Sequence, residues 1–265
     1  MSEWYNRYQR ISSVRGGSTG EAMTSRSEQF INSKFKDSPS YKRAKVTSTQ
    51  YPDLDEIDTR VVSIDRMGTL RDVIFRPNEG VDKGTYLHWT DNGKPTTWLV
   101  FDAYLNTISP KVTVQQCNEY LKFEGADGKI HQIYVYAGAT GLGSKASQLR
   151  AEIPYNKLDI KEPTSQLFIY MESNEYTNKL DVNHRLIIGR RAFKIIGKDD
   201  TTYTQIEGNG DGNQRFNFGI LAFTLTLDTI KAGDNIEEGI AQNFGEGNEN
   251  WGNNSVDEQE AWGDW

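Results

Sequence analysis

One short stretch restricts the fold of this chain more than any other. The turn Asp91-Asn92-Gly93 stands between two runs of β-forming residues, Thr85-Tyr86-Leu87-His88-Trp89 and Thr97-Trp98-Leu99-Val100-Phe101. Asn-Gly supplies the positive backbone angles that a two-residue hairpin turn requires, so the pair predicts two antiparallel strands joined tightly. A second hairpin is predicted from Glu119–Phe123 and Ile130–Val135, which flank Asp127-Gly128. Arg60–Ile64 and Asp72–Phe75 read as strands before these. Gln166–Met171, Arg185–Ile188, Ala192–Ile196, Tyr203–Ile206 and Gly219–Thr226 read as strands after them. Regularly spaced short strands with turn residues between them, and no repeat of fixed period, predict a mainly β barrel or sandwich of short antiparallel strands.

The two ends differ from this body. Residues 1–20 are rich in Ser, Gly and Arg, and Glu21–Phe35 carries Met23, Phe30, Ile31 and Phe35 at roughly helical spacing. One short helix is expected there, stopped by Asp37-Ser38-Pro39. The spacing of these features divides the chain into an N-terminal arm (1–50), a β region (51–137), a Gly-rich linker (138–149), a second β region (150–232) and an extended acidic tail (233–265). The two β regions could also form one continuous barrel.

Charge follows the same division. The formal net charge is -7, yet residues 233–265 hold nine acidic side chains and no Lys or Arg, while residues 1–50 hold nine basic residues against four acids. Without the tail, residues 1–232 hold 30 basic against 28 acidic side chains, so the body is near neutral. A segment with the tail's composition cannot bury enough surface to offset its ordering entropy. Phe244, Trp251, Trp262 and Trp265 are therefore its candidate anchors on other protein surfaces, and the acids are expected to meet basic partners. Arg7, Arg10 and Arg15 give the arm a similar role, and contact with nucleic acid is the other reading of these arginines. They are too sparse for a phosphate-tracking groove.

Catalytic signatures are missing from this pattern. His88, His131 and His184 share no metal-ligand spacing, and Cys117, the single cysteine, reads as a small apolar residue at a strand end. Gly138–Lys145 places Gly-Ser-Lys where a phosphate loop needs Gly-Lys-Ser/Thr. Gly208–Asn213 offers one Asp, fewer carboxylates than a calcium loop brings. Arg190-Arg191 reads as a hairpin turn. No catalytic residue, metal or cofactor is expected. A carbohydrate hydrolase using two carboxylates stays open as the enzymatic reading. No apolar run is long enough for a membrane span, and the N-terminus does not read as a secretory signal.

Two stretches carry a resemblance. The first combines Gly84-Thr85-Tyr86-Leu87-His88-Trp89, Thr97-Trp98-Leu99-Val100 and Gln116-Cys117-Asn118-Glu119-Tyr120-Leu121-Lys122-Phe123. The second combines Arg185–Ile195, Gly219-Ile220-Leu221 and Asp234–Ala241. Together they resemble virion structural proteins of tailed bacteriophages of Gram-positive hosts, a family assigned to the head-to-tail neck as head-closure, stopper or collar subunits. The resemblance implies a homo-oligomeric ring, commonly twelve-fold, around the DNA channel. Its implied neighbours are the portal or adaptor protein and the tail proteins. It further implies synthesis in the host cytoplasm and a final place in the virion. The acidic tail beyond Ala241 departs from the pattern. A different virion part (tail terminator, baseplate or adsorption protein) is the alternative.

Overall fold

The computed structural model describes residues 4, 7–8, 18–64, 69–125, 128–138, 166–201, 204–208 and 215–243. Helix α1 (Thr19–Lys34) precedes six strands, β1 (Tyr41–Thr47), β2 (Glu56–Ser63), β3 (Leu70–Phe75), β4 (Tyr86–Asp91), β5 (Lys94–Tyr104) and β6 (Lys111–Gln116). Seven more follow: β7 (Glu119–Glu124), β8 (Ile130–Gly138), β9 (Gln166–Glu172), β10 (Arg185–Ile188), β11 (Arg191–Asp199), β12 (Thr204–Gly208) and β13 (Arg215–Leu227). The first six close into an antiparallel barrel in the order β1-β2-β3-β6-β5-β4. The rest form a second sheet in the order β10-β11-β13-β9-β8-β7, with β12 paired to the first half of β13. Its edges β7 and β10 come against each other without a hydrogen-bonded pairing, so this sheet is barrel-like too. The mainly β expectation holds, with α1 as the short helix.

The β4–β5 hairpin turns where expected, with Asn92 at φ 48° and Gly93 at φ 78°. It also explains why the run Trp98-Leu99-Val100-Phe101 is so uniformly apolar. Successive strand residues face opposite sides. Leu87, Trp89, Trp98 and Val100 fill the barrel with Ala44, Val73, Phe75, Val112 and Val114. The Trp89 and Trp98 rings stack with centroids 4.9 Å apart. Tyr86 and Leu99, a cross-strand pair, point out of the barrel and are buried in the core of the second sheet, where Phe101 packs beside them. One hairpin thus supplies both cores. Each large apolar side chain buried this way contributes about 1.5–3 kcal/mol.

Polar contacts fix the joint between the two cores. The Tyr86 hydroxyl donates to the Tyr134 carbonyl at 2.6 Å and accepts from the Glu172 N–H at 3.1 Å. Glu172 Oε1 accepts from both the N–H and the hydroxyl of Thr49, at 2.8 and 2.9 Å. Gly84, at φ 88°, sits so close to β13 that a Cβ would lie 2.1 Å from the Gly219 carbonyl oxygen. Two residues link the barrels: Cys117 donates its N–H to the Thr97 carbonyl on one side, and Asn118 donates to the Val135 carbonyl on the other.

Three boundaries differ from the sequence-based division. Residues 41–47, read as part of the arm, are barrel strand β1. Only Ala44 and Val46 of that strand are buried, too few apolar positions to announce a strand by alternation. Strands β7 and β8, grouped by sequence with the first β region, belong to the second sheet through the pairing of Tyr136–Gly138 with Phe168–Tyr170. The joint between the two cores therefore falls at Cys117-Asn118. The expected linker 138–149 begins with the last residue of β8 and otherwise lies outside the described residues.

Candidate assembly interface

Ser18 and Glu21 start α1 with a reciprocal cap: the Glu21 N–H donates to Ser18 Oγ and the Ser18 N–H to Glu21 Oε2, each at 3.2 Å. The Ser-x-x-Glu spacing is a sequence signature of a helix start, and sequence reading passed over it. The other end is gripped by the barrel. Arg60 donates to the carbonyls of Phe35 (3.0 Å) and Lys34 (2.5 Å), and Arg76 donates to that of Asn32 (3.1 Å). These carbonyls lie in the last turn, where the i→i+4 ladder runs out; those of Asn32 and Lys34 also accept the Phe35 and Asp37 N–H groups, and two cations there suit the helix dipole. The Phe35 ring is fully buried, with the Arg60 and Arg76 guanidinium carbons 4.6 and 4.8 Å from its centroid.

Asp58 holds Arg76 in place by accepting from its Nε (3.0 Å) and Nη2 (2.8 Å), and it also accepts from the Tyr41 hydroxyl (2.7 Å). Burial pushes the Asp58 carboxyl upward, but the Tyr41 and Arg76 hydrogen bonds outweigh it and keep the group below its ordinary value. The rest of α1 projects outward. Met23 and Phe30, seven residues apart on one face, are 65% and 68% exposed.

The C-terminal segment is held by a different arginine. Arg185 begins edge strand β10, and its side chain is only 5% exposed. Its Nε donates to Asp228 (2.7 Å), while Nη1 and Nη2 donate to the two oxygens of Asp234, both at 2.8 Å. It donates further to the carbonyls of Thr229 (2.7 Å) and Gln242 (3.1 Å). The Asp234 side chain is fully buried and also accepts the N–H groups of Lys231 and Gln242. Desolvation raises its carboxyl, but the Arg185 and backbone donors prevail and hold it at about 2. Asn243 completes the clasp by exchanging two side-chain hydrogen bonds with the Arg185 backbone, which covers the free edge of β10.

Residues 233–243 are therefore folded onto their own chain, where the sequence led to an extended tail. The first tail acid, Asp234, finds its cation within the same molecule. Sequence separations of 43 to 58 residues hid this contact. The one local hint was a lone Arg opening the otherwise apolar strand Arg185–Ile188. Phe244, Trp251, Trp262 and Trp265 lie outside the described residues, as do Arg10 and Arg15; Arg7 is exposed.

The remaining candidates stay apart. His88 lies between the Thr97 and Thr47 hydroxyls, His131 stacks on Tyr176, and His184 accepts the Asp181 N–H. Among the described residues no three metal-ligating side chains come together, and no helix is long and apolar enough to cross a membrane. Burial pushes the Cys117 thiol up to about 12, far from the range of a nucleophile at neutral pH. Gly189 and Arg190 form the β10–β11 turn at positive φ, with Arg190 and Arg191 exposed. Of the Gly208–Asn213 loop, only Gly208 is among the described residues.

A surface cleft of about 500 Å³ beside the α1 root is lined by Lys36, Arg43, Glu56, Asp58 and Glu79, among others. Burial raises Glu79 there while Asp58 is held low. Asp58 is committed to Arg76 and Tyr41, and Glu56 to Arg43 at 2.7 Å. A separate surface feature lies on β7 and β8, where Tyr120 and Tyr134 are exposed with ring centroids 4.9 Å apart.

The family model of the YomX C-terminal domain matches residues 86–226, from the first residue of β4 into the end of β13. That span is just over half of the chain, and the family is a phage-associated one. No curated protein matches. Two solved chains align at 5% identity. One is MrkH, described as a c-di-GMP-dependent transcription regulatory factor, covering 81% of this chain and 88% of its own with a TM-score of 0.21. The other is K. pneumonia MrkH in its apo state, at 78% and 85% with a TM-score of 0.23. At such scores neither carries an argument about this chain.

Proposed function

The chain belongs to the YomX C-terminal domain family, and on that premise we propose that it is a non-enzymatic structural subunit of a phage virion's neck. In this reading it forms a ring, of the head-closure or connector type, that continues the DNA channel between portal and tail. The observation that carries the proposal is α1, a helix locked at its C-terminal end to a rigid barrel while Met23 and Phe30 face outward. Exposed large side chains on a projecting element suit a contact between subunits. The two barrels share one hairpin, which gives a wall subunit stiffness. A near-neutral body also suits a channel, because DNA affinity grows with each phosphate neutralised, and a sliding duplex must not be gripped.

Class-averaged electron microscopy of the purified full chain, together with antibody labelling of virions, tests this. Rings of uniform symmetry and label at the head–tail junction are expected. A chain that stays monomeric at high concentration and labels another part of the particle would overturn the neck assignment.

A second reading, an adsorption or baseplate part, draws on the exposed Tyr120 and Tyr134 pair, with Gln132 hydrogen-bonded to the Tyr120 hydroxyl. Aromatic faces beside amide groups suit stacking against sugar rings. Saturation-transfer NMR with cell-wall saccharides separates the readings: transfer lost in Tyr120→Ala and Tyr134→Ala favours adsorption, and its absence favours the neck.

A further inference from the structure

The face of α1 that carries Met23 and Phe30 has a definite charge. At 100° per residue, Arg26 and Lys34 fall on the same side as Met23 and Phe30, while Glu21 and Glu28 fall opposite. The exposed face is thus apolar and basic, although Lys34 also meets Asp37 at 3.2 Å in an exposed pair. A matching partner would be acidic with large apolar side chains and almost no cations.

The chain contains such a segment. Beyond the Arg185 clasp, residues 244–265 carry Glu246, Glu249, Asp257, Glu258, Glu260 and Asp264 with Phe244, Trp251, Trp262 and Trp265, and neither Lys nor Arg. The clasp fixes where this segment leaves the second sheet, at Asn243. Its 22 residues reach at most about 75 Å, enough to span from one subunit to the next.

We propose that the Met23–Phe30 face of α1 receives the acidic, Trp-bearing segment 244–265 of an adjacent copy of this chain. The inference rests on the ring reading for its direction, from one copy to the next. A head-to-tail contact of this kind uses different surfaces on the two partners and closes into a ring when its rotation permits. The Trp side chains cover Met23 and Phe30, and the carboxylates lie against Arg26, Lys34 and the other arm cations. The contact weakens with salt, since screening shortens the reach of exposed charges from about 10 Å at 0.1 M to about 3 Å at 1 M.

The test uses the full chain with p-benzoylphenylalanine in place of Trp262, co-expressed with a tagged copy that lacks the probe. Irradiation and peptide mass spectrometry should place the crosslink on residues 19–34 of the tagged copy. Phe30→Glu or Arg26→Glu in the tagged copy should lower the yield at least tenfold, with the circular dichroism spectrum unchanged. Crosslinks confined to the untagged chain itself, or falling elsewhere on the tagged copy, would overturn the proposal. Electron microscopy of the same sample keeps the two readings apart. Tail-to-helix crosslinks in open filaments would sink the neck ring and keep this contact, whereas rings without those crosslinks would do the reverse.

Discussion

Replacing Asp234 by Asn removes the charge at the centre of the C-terminal clasp and leaves its shape nearly unchanged. The carboxyl stands at about 2 in the folded chain, against about 3.9 for an unfolded Asp. That difference corresponds to about 2–3 kcal/mol of stability. The sign follows from a lowered folded value. The contribution is complete above about pH 5, where the unfolded Asp is charged, and most of it is lost as pH falls from about 4 through about 2. Asp234→Asn should therefore unfold about 2–3 kcal/mol more easily in urea at pH 7, and the gap to the parent chain should close between pH 4 and 2. Arg185→Ala should cost more, about 3–5 kcal/mol, because it strands the buried Asp234 carboxylate and leaves Asp228 unpaired. Amide exchange across residues 228–243 would show whether the loss is local to the segment or global. Asp234→Asn within about 0.5 kcal/mol of the parent at pH 7, a typical neutral surface change, would refute this account of the clasp.

Two further expectations concern the joint and the hairpin. Gly84→Ala should cost more than about 4 kcal/mol, since its Cβ meets the Gly219 carbonyl at 2.1 Å, while Gly93→Ala, strained but in open space, should cost only about 1–2 kcal/mol; thermal melts of the two variants compare them directly. Glu172→Ala should lose about 1–3 kcal/mol by leaving the two Thr49 donors without their acceptor. Glu172→Gln keeps that acceptor. Burial raises the Glu172 carboxyl, so the parent chain loses stability as pH rises from the unfolded value near about 4.3 through the folded value, and the advantage of the Gln variant should widen across that window.

Local chemistry was legible where turn residues or strand alternation carried it. The Asn92-Gly93 hairpin and the β7–β8 pair stand where sequence reasoning put them, whereas the turn read at Arg190-Arg191 lies one residue earlier, at Gly189-Arg190, with Arg191 opening β11. Strand β1 escaped because Lys42 shares the inward face with Ala44 and Val46 while Arg43 and Lys45 point out, so no apolar alternation shows. The sharing of one hairpin between two cores could be read only as an unusually apolar run, since periodicity cannot say which element covers each face. The candidate assembly surfaces were legible by half. Met23 and Phe30 were noticed as helix spacing, but their outward direction depends on Arg60 and Arg76 reaching back across the fold. The Arg185 clasp depends on long-range pairing, which composition does not encode. Acidity in the tail suggested foreign partners, and for Asp234 that inference missed a cation in the same chain.

The Tyr86–Leu99 pair has a mechanical consequence. A pull applied to the helix enters the molecule at Arg60 and Arg76 in the first barrel, and a pull on the far terminus enters at Arg185 in the second. The force between them crosses a hairpin whose two sides belong to different interiors, so no slack connector lies along its path. Such a body would behave as a rigid spar, carrying strain from one terminus to the other through the shared hairpin.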